Sequence, residues 1–202
     1  MEARTLDPPA VAVRPATDPA PDAREARYGR LMAQGRGFAN DDLFARMLAS
    51  QELGSGALPP GLGLGWADFT ALMARHFPGC SLPGGEGAPA QAERQAERED
   101  LLALFTEHRA GKDDSERWMA EIVATACMGG DHLWKDLGLW SRADLSRLLT
   151  QKFPALAAKN TRDMKWKKFL YKQLCEREEL FICKAPSCAV CVDRPVCFGP
   201  ED

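Results

Sequence analysis

Valine and isoleucine are almost missing from the middle of this chain. Between residues 15 and 189 the sequence contains only Ile122, Val123 and Ile182. Buried β-strands favour such branched side chains because they pack well on a pleated surface. Leucine, alanine, methionine, glutamate, arginine and lysine dominate the same stretch, and these residues are strong helix formers. The sequence therefore predicts an all-α protein.

The length and charge of the chain limit its class. A chain of 202 residues is expected to form one domain with appendages. Its formal net charge of −3 argues against general nucleic-acid binding, which usually needs a basic domain. No stretch approaches 18 apolar residues, and the N-terminus lacks the apolar core of a secretory signal. We therefore expect a cytoplasmic protein without nucleic-acid or membrane partners.

Proline and glycine divide the chain into segments. Five prolines in residues 1–24 predict a disordered leader, since proline resists helix continuation. A second cluster of proline and glycine predicts a flexible connection at 79–90. This connection separates the two halves of a helical domain (25–182), which are residues 25–78 and 91–182. Residues 183–202 form a cysteine-rich tail that we expect to order around a metal.

Apolar spacing and capping residues predict six helices. Their predicted starts are after Asn40 as an N-cap, at about Trp66, within residues 91–109, at a capping box of Asp113 and Glu116, after Ser141 as an N-cap, and at about Thr161. The helix from Trp66 is predicted to end at His76, and the last helix near Glu178. Together the six helices predict a helical bundle.

The two halves of the helical domain share a sequence pattern at an offset of 75 or 76 residues. The matching segments, in order, are residues 43–50 with 118–125, 62–64 with 137–139, and 67–78 with 143–154. The last pair shares an Ala-Asp start and a Phe-Pro end. Chance similarity between amphipathic helices does not readily keep this order. The pattern predicts a duplicated helix pair whose copies are related by pseudo-symmetry.

Four of the seven cysteines lie close together in the spacing C-x4-C-x2-C-x5-C, at Cys183, Cys188, Cys191 and Cys197. Thiolates are soft ligands that suit Fe–S clusters, Zn²⁺ or Cu(I). The first three have the spacing of plant-type ferredoxin loops, whereas structural zinc more often uses two separated C-x2–4-C pairs. The motif favours an Fe–S-type cluster over zinc. Disulfides are the third interpretation, but nothing indicates an oxidising compartment.

The predicted helix before this motif has two distinct faces. One is apolar and carries Trp166, Phe169, Leu170 and Leu174. The other carries Lys165, Lys168, Lys172 and Cys175, spaced by 3, 4 and 3 residues. The lysines are either a solvated face or a basic track that leads an oxyanion or an acidic partner toward the cysteines. Cys175 is either a core cysteine or an additional ligand.

No other residues form a recognisable constellation. Cys80 and Cys127 read as incidental, and the three histidines have no ligand spacing. His132 lies in a turn, where it either stabilises the turn or contacts a metal or a partner. The sequence contains no Ser/His/Asp set, P-loop or dinucleotide fingerprint, so we expect a protein that is not an enzyme.

Several segments of the second half carry a family resemblance. They are His132–Leu139, Phe153–Ala157, Asn160, Met164–Phe169, and the cysteine motif followed by Phe198-Gly199. Together they resemble the NifQ family, which supplies molybdenum for the iron–molybdenum cofactor of nitrogenase. The resemblance covers about residues 115–199.

The resemblance implies a molybdenum–iron–sulfur cluster held by the motif cysteines Cys183, Cys188, Cys191 and Cys197. It also implies a cytoplasmic carrier that takes molybdenum from molybdate or a molybdenum-storage source. The recipients would be the nitrogenase iron protein and the cofactor-assembly scaffold protein. The residues alone leave open a zinc-stabilised helical interaction protein with purely structural cysteines, and an electron-transfer module.

Overall fold

The computed structural model describes residues 21–81 and 94–177, and all regular structure in these residues is helical. In chain order the helices are α1 (Pro21–Ala33), α2 (Asp41–Glu52), α3 (Trp66–His76), α4 (Gln95–Glu107), α5 (Glu116–Ala126), α6 (Leu133–Asp136), α7 (Arg142–Lys152), α8 (Pro154–Ala157) and α9 (Trp166–Arg177). A short 3-10 turn, Pro60–Gly63, precedes α3. The prediction of an all-α fold is confirmed for this part of the chain. None of its helices is both long and apolar enough to cross a bilayer.

Helix α5 lies at the centre of the core. Nine of its eleven residues are buried, including Trp118, Ile122 and Val123. Burial of this extent requires other elements to cover most of the helix surface. Helix α4 packs along α5, as α1 packs along α2. The core is continuous across both halves of the chain, because buried side chains of α2, α3, α5, α7 and α9 belong to one cluster.

Helix α1 was not predicted, and it begins inside the segment expected to be a disordered leader. Residues 21–24 are helical, whereas residues 1–20 lie outside the described part of the chain. Pro21 occupies the first turn, where a missing amide proton costs nothing. Leu31 is completely buried, and the Tyr28 hydroxyl donates to Asp42 on α2 at 2.7 Å. Tertiary contacts therefore stabilise a helix whose own apolar pattern is weak.

The capping box predicted at the start of α5 is not formed. The Asp113 carboxylate accepts the backbone amide of Ser115 at 2.7 Å, two residues on. The Glu116 carboxylate accepts the amide of Gly111 at 2.7 Å rather than that of Asp113. Asn40 likewise precedes α2 without capping it through its side chain, because its amide donates to the Ser115 hydroxyl at 2.7 Å. The predicted cap of α7 is confirmed, since the Ser141 hydroxyl accepts the amide of Asp144 at 3.1 Å.

Helix α9 begins at Trp166, five residues after the predicted start at Thr161. The Asn160 side chain accepts the amide of Met164 and donates to its carbonyl, both at 2.9 Å. Asp163 adopts a positive φ of 52°, a conformation that side chains other than glycine rarely adopt. These two features hold residues 160–164 in a turn, and the helix can start only beyond it.

The two halves place matching elements at matching positions. Helices α3 and α7 each have eleven residues and end at a Phe-Pro step. The backbone angles of the two final phenylalanines agree closely, with φ −136° and ψ 59° at Phe77 and φ −134° and ψ 55° at Phe153. Helices α1 and α4 both have thirteen residues. A duplicated helix pair accounts for these correspondences, and the duplication itself stays a prediction.

The contacts between the two halves also form a matching pair, in which a glycine of each half lies against a helix of the other. A Cβ atom added to Gly63 in the first half would lie 2.7 Å from Thr125 in the second. One added to Gly138 in the second half would lie 2.8 Å from Ser50 in the first. Both glycines adopt positive φ, 78° and 68°. The backbone of each tight turn therefore packs against the last turn of a helix in the opposite half, which is α5 for Gly63 and α2 for Gly138.

Each half also buries an acidic and a basic residue at equivalent places. Asp41 begins α2 and His76 ends α3, and His76 Nδ1 donates to Asp41 at 2.6 Å. Glu116 begins α5 and Lys152 ends α7, and both side chains are buried. Burial lowers the pKa of His76 despite the opposing effect of Asp41. Burial also lowers the pKa of Lys152, opposed by the charge of Glu116.

The free energy of unfolding should decrease as the pH falls from about 6.5 toward the lower pKa of the buried His76 imidazole. The unfolded imidazole has a pKa of about 6.5, and the buried one has a lower pKa. Between these values the unfolded state binds more protons, so the free energy of unfolding decreases as the pH falls, by up to about 1.4 kcal/mol per pH unit. Above pH about 6.5 the imidazole is neutral in both states, so His76 causes no loss of stability there. Urea unfolding at pH 7.5, 6.5 and 5.5 measures it.

His76→Asn is the matched variant for this measurement, because the asparagine amide keeps a donor near Asp41 but does not titrate. It should be less stable at every pH and should show a shallower dependence between pH 6.5 and 5.5. Equal slopes in the two proteins would mean that groups other than His76 set the acid sensitivity.

Candidate functional site

Helix α9 carries the described residues nearest in sequence to the cysteine motif. Its apolar face is packed as predicted, because Trp166, Phe169 and Leu170 are buried and Leu174 contacts the core. The rings of Trp166 and Phe169 meet edge to face at 5.8 Å. The helix therefore lies with one face fixed on the bundle.

Lys167 anchors the start of α9 to the turn that follows α5. Its ammonium donates to the Gly129 carbonyl at 2.8 Å and forms an ion pair with the buried carboxylate of Asp136. The same carboxylate accepts the amide of Asp131 at 3.1 Å. Lys167 thus points into the bundle and is separate from the exposed lysines of this helix. A buried charge with no partner is costly, so this pair fixes where α9 sits.

A second polar contact anchors α9 one turn later. The Tyr171 hydroxyl accepts from Arg94 at 2.9 Å, and Arg94 also donates to the Met128 carbonyl at 2.8 Å. Burial raises the pKa of Tyr171, and the hydrogen bond to Glu97 acts in the same direction. The phenol is therefore neutral at physiological pH. Together with Lys167 it joins α9 to both α4 and the turn after α5.

The predicted lysine track is only partly a helical face. Lys168 and Lys172 are exposed on α9, four residues apart. Lys165 is half-buried and precedes the helix, where its carbonyl accepts the amide of Phe169 at 2.9 Å. The prediction that all three lysines lie on one helix is wrong for Lys165, because the turn at 160–164 delays the helix start.

A cleft of about 380 Å³ lies between that turn and α9. Its basic lining residues are Lys159, Arg162 and Lys172, and its one acidic lining residue is Glu176. Of the predicted lysines, only Lys172 lines this cleft. Lys159 and Arg162 were not predicted, although residues 159–177 hold seven basic and two acidic side chains. That local excess in a chain of net charge −3 is the signal that could have found them.

The cysteines are divided between the described and undescribed parts of the chain. Cys183, Cys188, Cys191 and Cys197 lie outside the described residues. Cys175 is half-buried near the end of α9, and whether it is a ligand stays a prediction. Burial raises the pKa of Cys127 to about 12, so its thiol stays protonated. Within residues 21–81 and 94–177, no three His, Cys, Asp or Glu side chains are grouped to bind a metal.

A family model described as NifQ matches residues 43–199, most of the chain. The chain belongs to the NifQ family. Protein NifQ of Azotobacter vinelandii is 43% identical over 175 residues, covering 81% of this chain and 90% of that protein. Protein NifQ of Rhodobacter capsulatus is 38% identical over 187 residues, covering 92% and 96%. The NifQ homolog of Sinorhizobium fredii is 35% identical over 158 residues, covering 78% and 69%. No solved structure matches the chain.

Membership in NifQ gives the chain a role connected with nitrogen fixation. The NifQ match begins within α2 at Leu43 and runs beyond α9. The resemblance seen in the sequence rested on about residues 115–199, so the match adds most of the first half. It also includes all four cysteines of the motif.

Proposed function

We propose that this chain is a carrier that binds a molybdenum–iron–sulfur cluster through Cys183, Cys188, Cys191 and Cys197. It donates molybdenum in the cytoplasm for the biosynthesis of the nitrogenase iron–molybdenum cofactor. The recipients are the nitrogenase iron protein and the cofactor-assembly scaffold protein. The observation that carries the proposal is the C-x4-C-x2-C-x5-C motif inside the region matched by the NifQ family.

The chemistry of the motif supports this role. Thiolates are soft ligands that retain iron–sulfur clusters, and sulfide-bridged iron can hold molybdenum in the same cluster. All four ligands come from the stretch 183–197, so a partner can reach the cluster through one segment without opening the helical core. In this role the chain binds and transfers metal and catalyses no reaction.

The fixed position of helix α9 on the bundle also supports this role. Lys167 and Tyr171 fix it to the bundle, and Cys183 follows its last residue, Arg177, by six positions. The described chain therefore ends on a helix that is fixed to the bundle, a few residues before the motif. Lys165, Lys168 and Lys172 are the proposed docking residues for an oxyanion or an acidic partner, and Cys175 is the candidate additional ligand.

Elemental analysis of protein purified without oxygen tests the proposal. The expected product is brown and contains iron, sulfide and molybdenum. Colourless protein with one zinc per chain would overturn it and favour a structural zinc site. A reversible redox couple in protein without molybdenum would overturn it in favour of electron transfer.

A further inference from the structure

The cleft between residues 159–164 and α9 has the chemistry of an anion site. Its lining contains three cationic side chains and one carboxylate, which leaves an excess of positive charge. The carboxylate, Glu176, is itself engaged, because it accepts from Gln173 at 2.7 Å and pairs with Lys172 at 3.4 Å. Its repulsion of an entering anion is therefore reduced.

Lys159 is oriented by a neighbouring histidine. The Leu104 carbonyl can only accept, so the contact of 2.9 Å with His108 Nδ1 places the imidazole proton on that nitrogen. His108 Nε2 then carries the lone pair that accepts from Lys159 Nζ at 3.2 Å. This hydrogen bond orients the ammonium and leaves its full positive charge.

Arg162 supplies a geometric preference. Its guanidinium is a planar fork of donors that matches two oxygens of one anion. Its backbone lies in the turn fixed by Asn160 and by the positive φ of Asp163, so the position from which the fork reaches out is set by the fold. Two or three cationic donors around a small concave space suit a compact polyvalent anion better than an extended chain.

We propose that this cleft binds a tetrahedral oxyanion dianion through Lys159, Arg162 and Lys172. Its volume of about 380 Å³ lies at the lower end of the range for small-molecule sites and accommodates one such anion with its hydration shell. The identification of the anion as molybdate rests on the proposed function; the oxyanion site does not. The cleft binds the anion and changes no bond or oxidation state.

The cleft lining ends only a few residues before the cysteine motif in the sequence. Cys183 follows Glu176 by seven positions, and an extended chain advances at most about 3.6 Å per residue. The Cα atoms of these two residues are therefore at most about 25 Å apart. The cleft and the first cysteine of the motif are therefore joined by a short stretch of chain.

Molybdate titration of the full-length chain tests the site independently of the cluster. The background is Cys188→Ala/Cys191→Ala, in which the proposed cluster cannot be held, and the probe is sodium molybdate followed by calorimetry. Adding Lys159→Gln/Arg162→Gln should weaken molybdate binding at least about tenfold, since two charged donors are lost. Sulfate should compete with molybdate, whereas chloride at equal ionic strength should compete far less.

Two controls separate the cleft from general charge effects. Arg30→Gln/Lys112→Gln removes the same charge at exposed positions outside the cleft lining and should leave affinity within about twofold. Arg36→Gln, which removes a single exposed charge outside the cleft lining, should do the same. No molybdate binding by the parent, equal losses in cleft and control variants, or equal competition by chloride would each overturn the oxyanion site. None of these results bears on whether the native protein carries molybdenum in a cluster.

Discussion

Replacing Cys188 or Cys191 by alanine is expected to abolish retention of the proposed cluster while the helical fold survives. Each change removes a thiolate from the central C-x2-C pair, and a cluster with a missing ligand is easily lost. We expect the packing of the described core to survive, because its buried side chains form one cluster among themselves. Iron and molybdenum per chain should fall to about a tenth or less, whereas the circular dichroism of the helices should not change.

Cys80→Ala is the matched control, because Cys80 is half-buried outside the motif. It should retain metal at the level of the parent protein after the same anaerobic purification. If the Cys188 or Cys191 variants lose their helicity, then the metal stabilises the whole domain and the view of the bundle as a self-supporting platform is wrong. If they keep iron and molybdenum, the motif is not the cluster site.

Among the described glycines that lie between the two halves, Gly138 is expected to be the one at which alanine destabilises the fold most. Gly138 has a φ of 68°, which costs a residue with a Cβ about 1–2 kcal/mol. The new Cβ would also lie 2.8 Å from the Cβ of Ser50, an atom that cannot rotate away. Overpacking of this kind typically costs a further 1–3 kcal/mol. We expect a loss of about 3 kcal/mol in the free energy of unfolding, measured by urea denaturation.

Gly29→Ala adds the same methyl group but is expected to increase the free energy of unfolding. Gly29 lies inside α1, and a Cβ there meets nothing within 4 Å. Alanine should stabilise this helix by about 0.5–1 kcal/mol, because glycine is the more flexible residue in the unfolded state. Ser50→Gly alone loses the hydrogen bond to the Gly138 carbonyl, so it is the reference for the double variant. In that background Gly138→Ala should cost only the positive φ. A Gly138→Ala variant within about 1 kcal/mol of the parent would show that this contact is not tight.

The reciprocal glycine contacts bear on how the two halves assemble. Gly138 and Gly63 stand in matching positions of the predicted repeat, and each contacts the end of the other half's long helix. The Ser50 hydroxyl also donates to the Gly138 carbonyl at 2.6 Å. Neither half buries this surface alone, so the two halves stabilise each other.

Residue type and local spacing were sufficient for the helical class and for several helix boundaries. The shortage of valine and isoleucine excluded buried strands, and the Trp66–His76 helix was predicted with its observed bounds. The Ser141 cap was also predicted, because an N-cap acts within one turn of its own helix. The repeated pattern and the cysteine motif are likewise features of the sequence alone. The duplicated helix pair and the metal cluster that they indicate remain predictions.

Only the tertiary structure decided the features that depend on residues far apart in the chain. Leu31 and Tyr28 stabilise α1 through α2 and the core, which no local propensity contains. Lys167 was indistinguishable from its neighbour Lys168 until Gly129 and Asp136 were seen beside it. The cleft brings Lys159 and Arg162 to Lys172 because the turn at Asn160 folds back on α9. The sequence determined the helical class and the Ser141 cap, because their energies are local. Packing determined whether α1 forms, which charges point inward and which meet across the cleft.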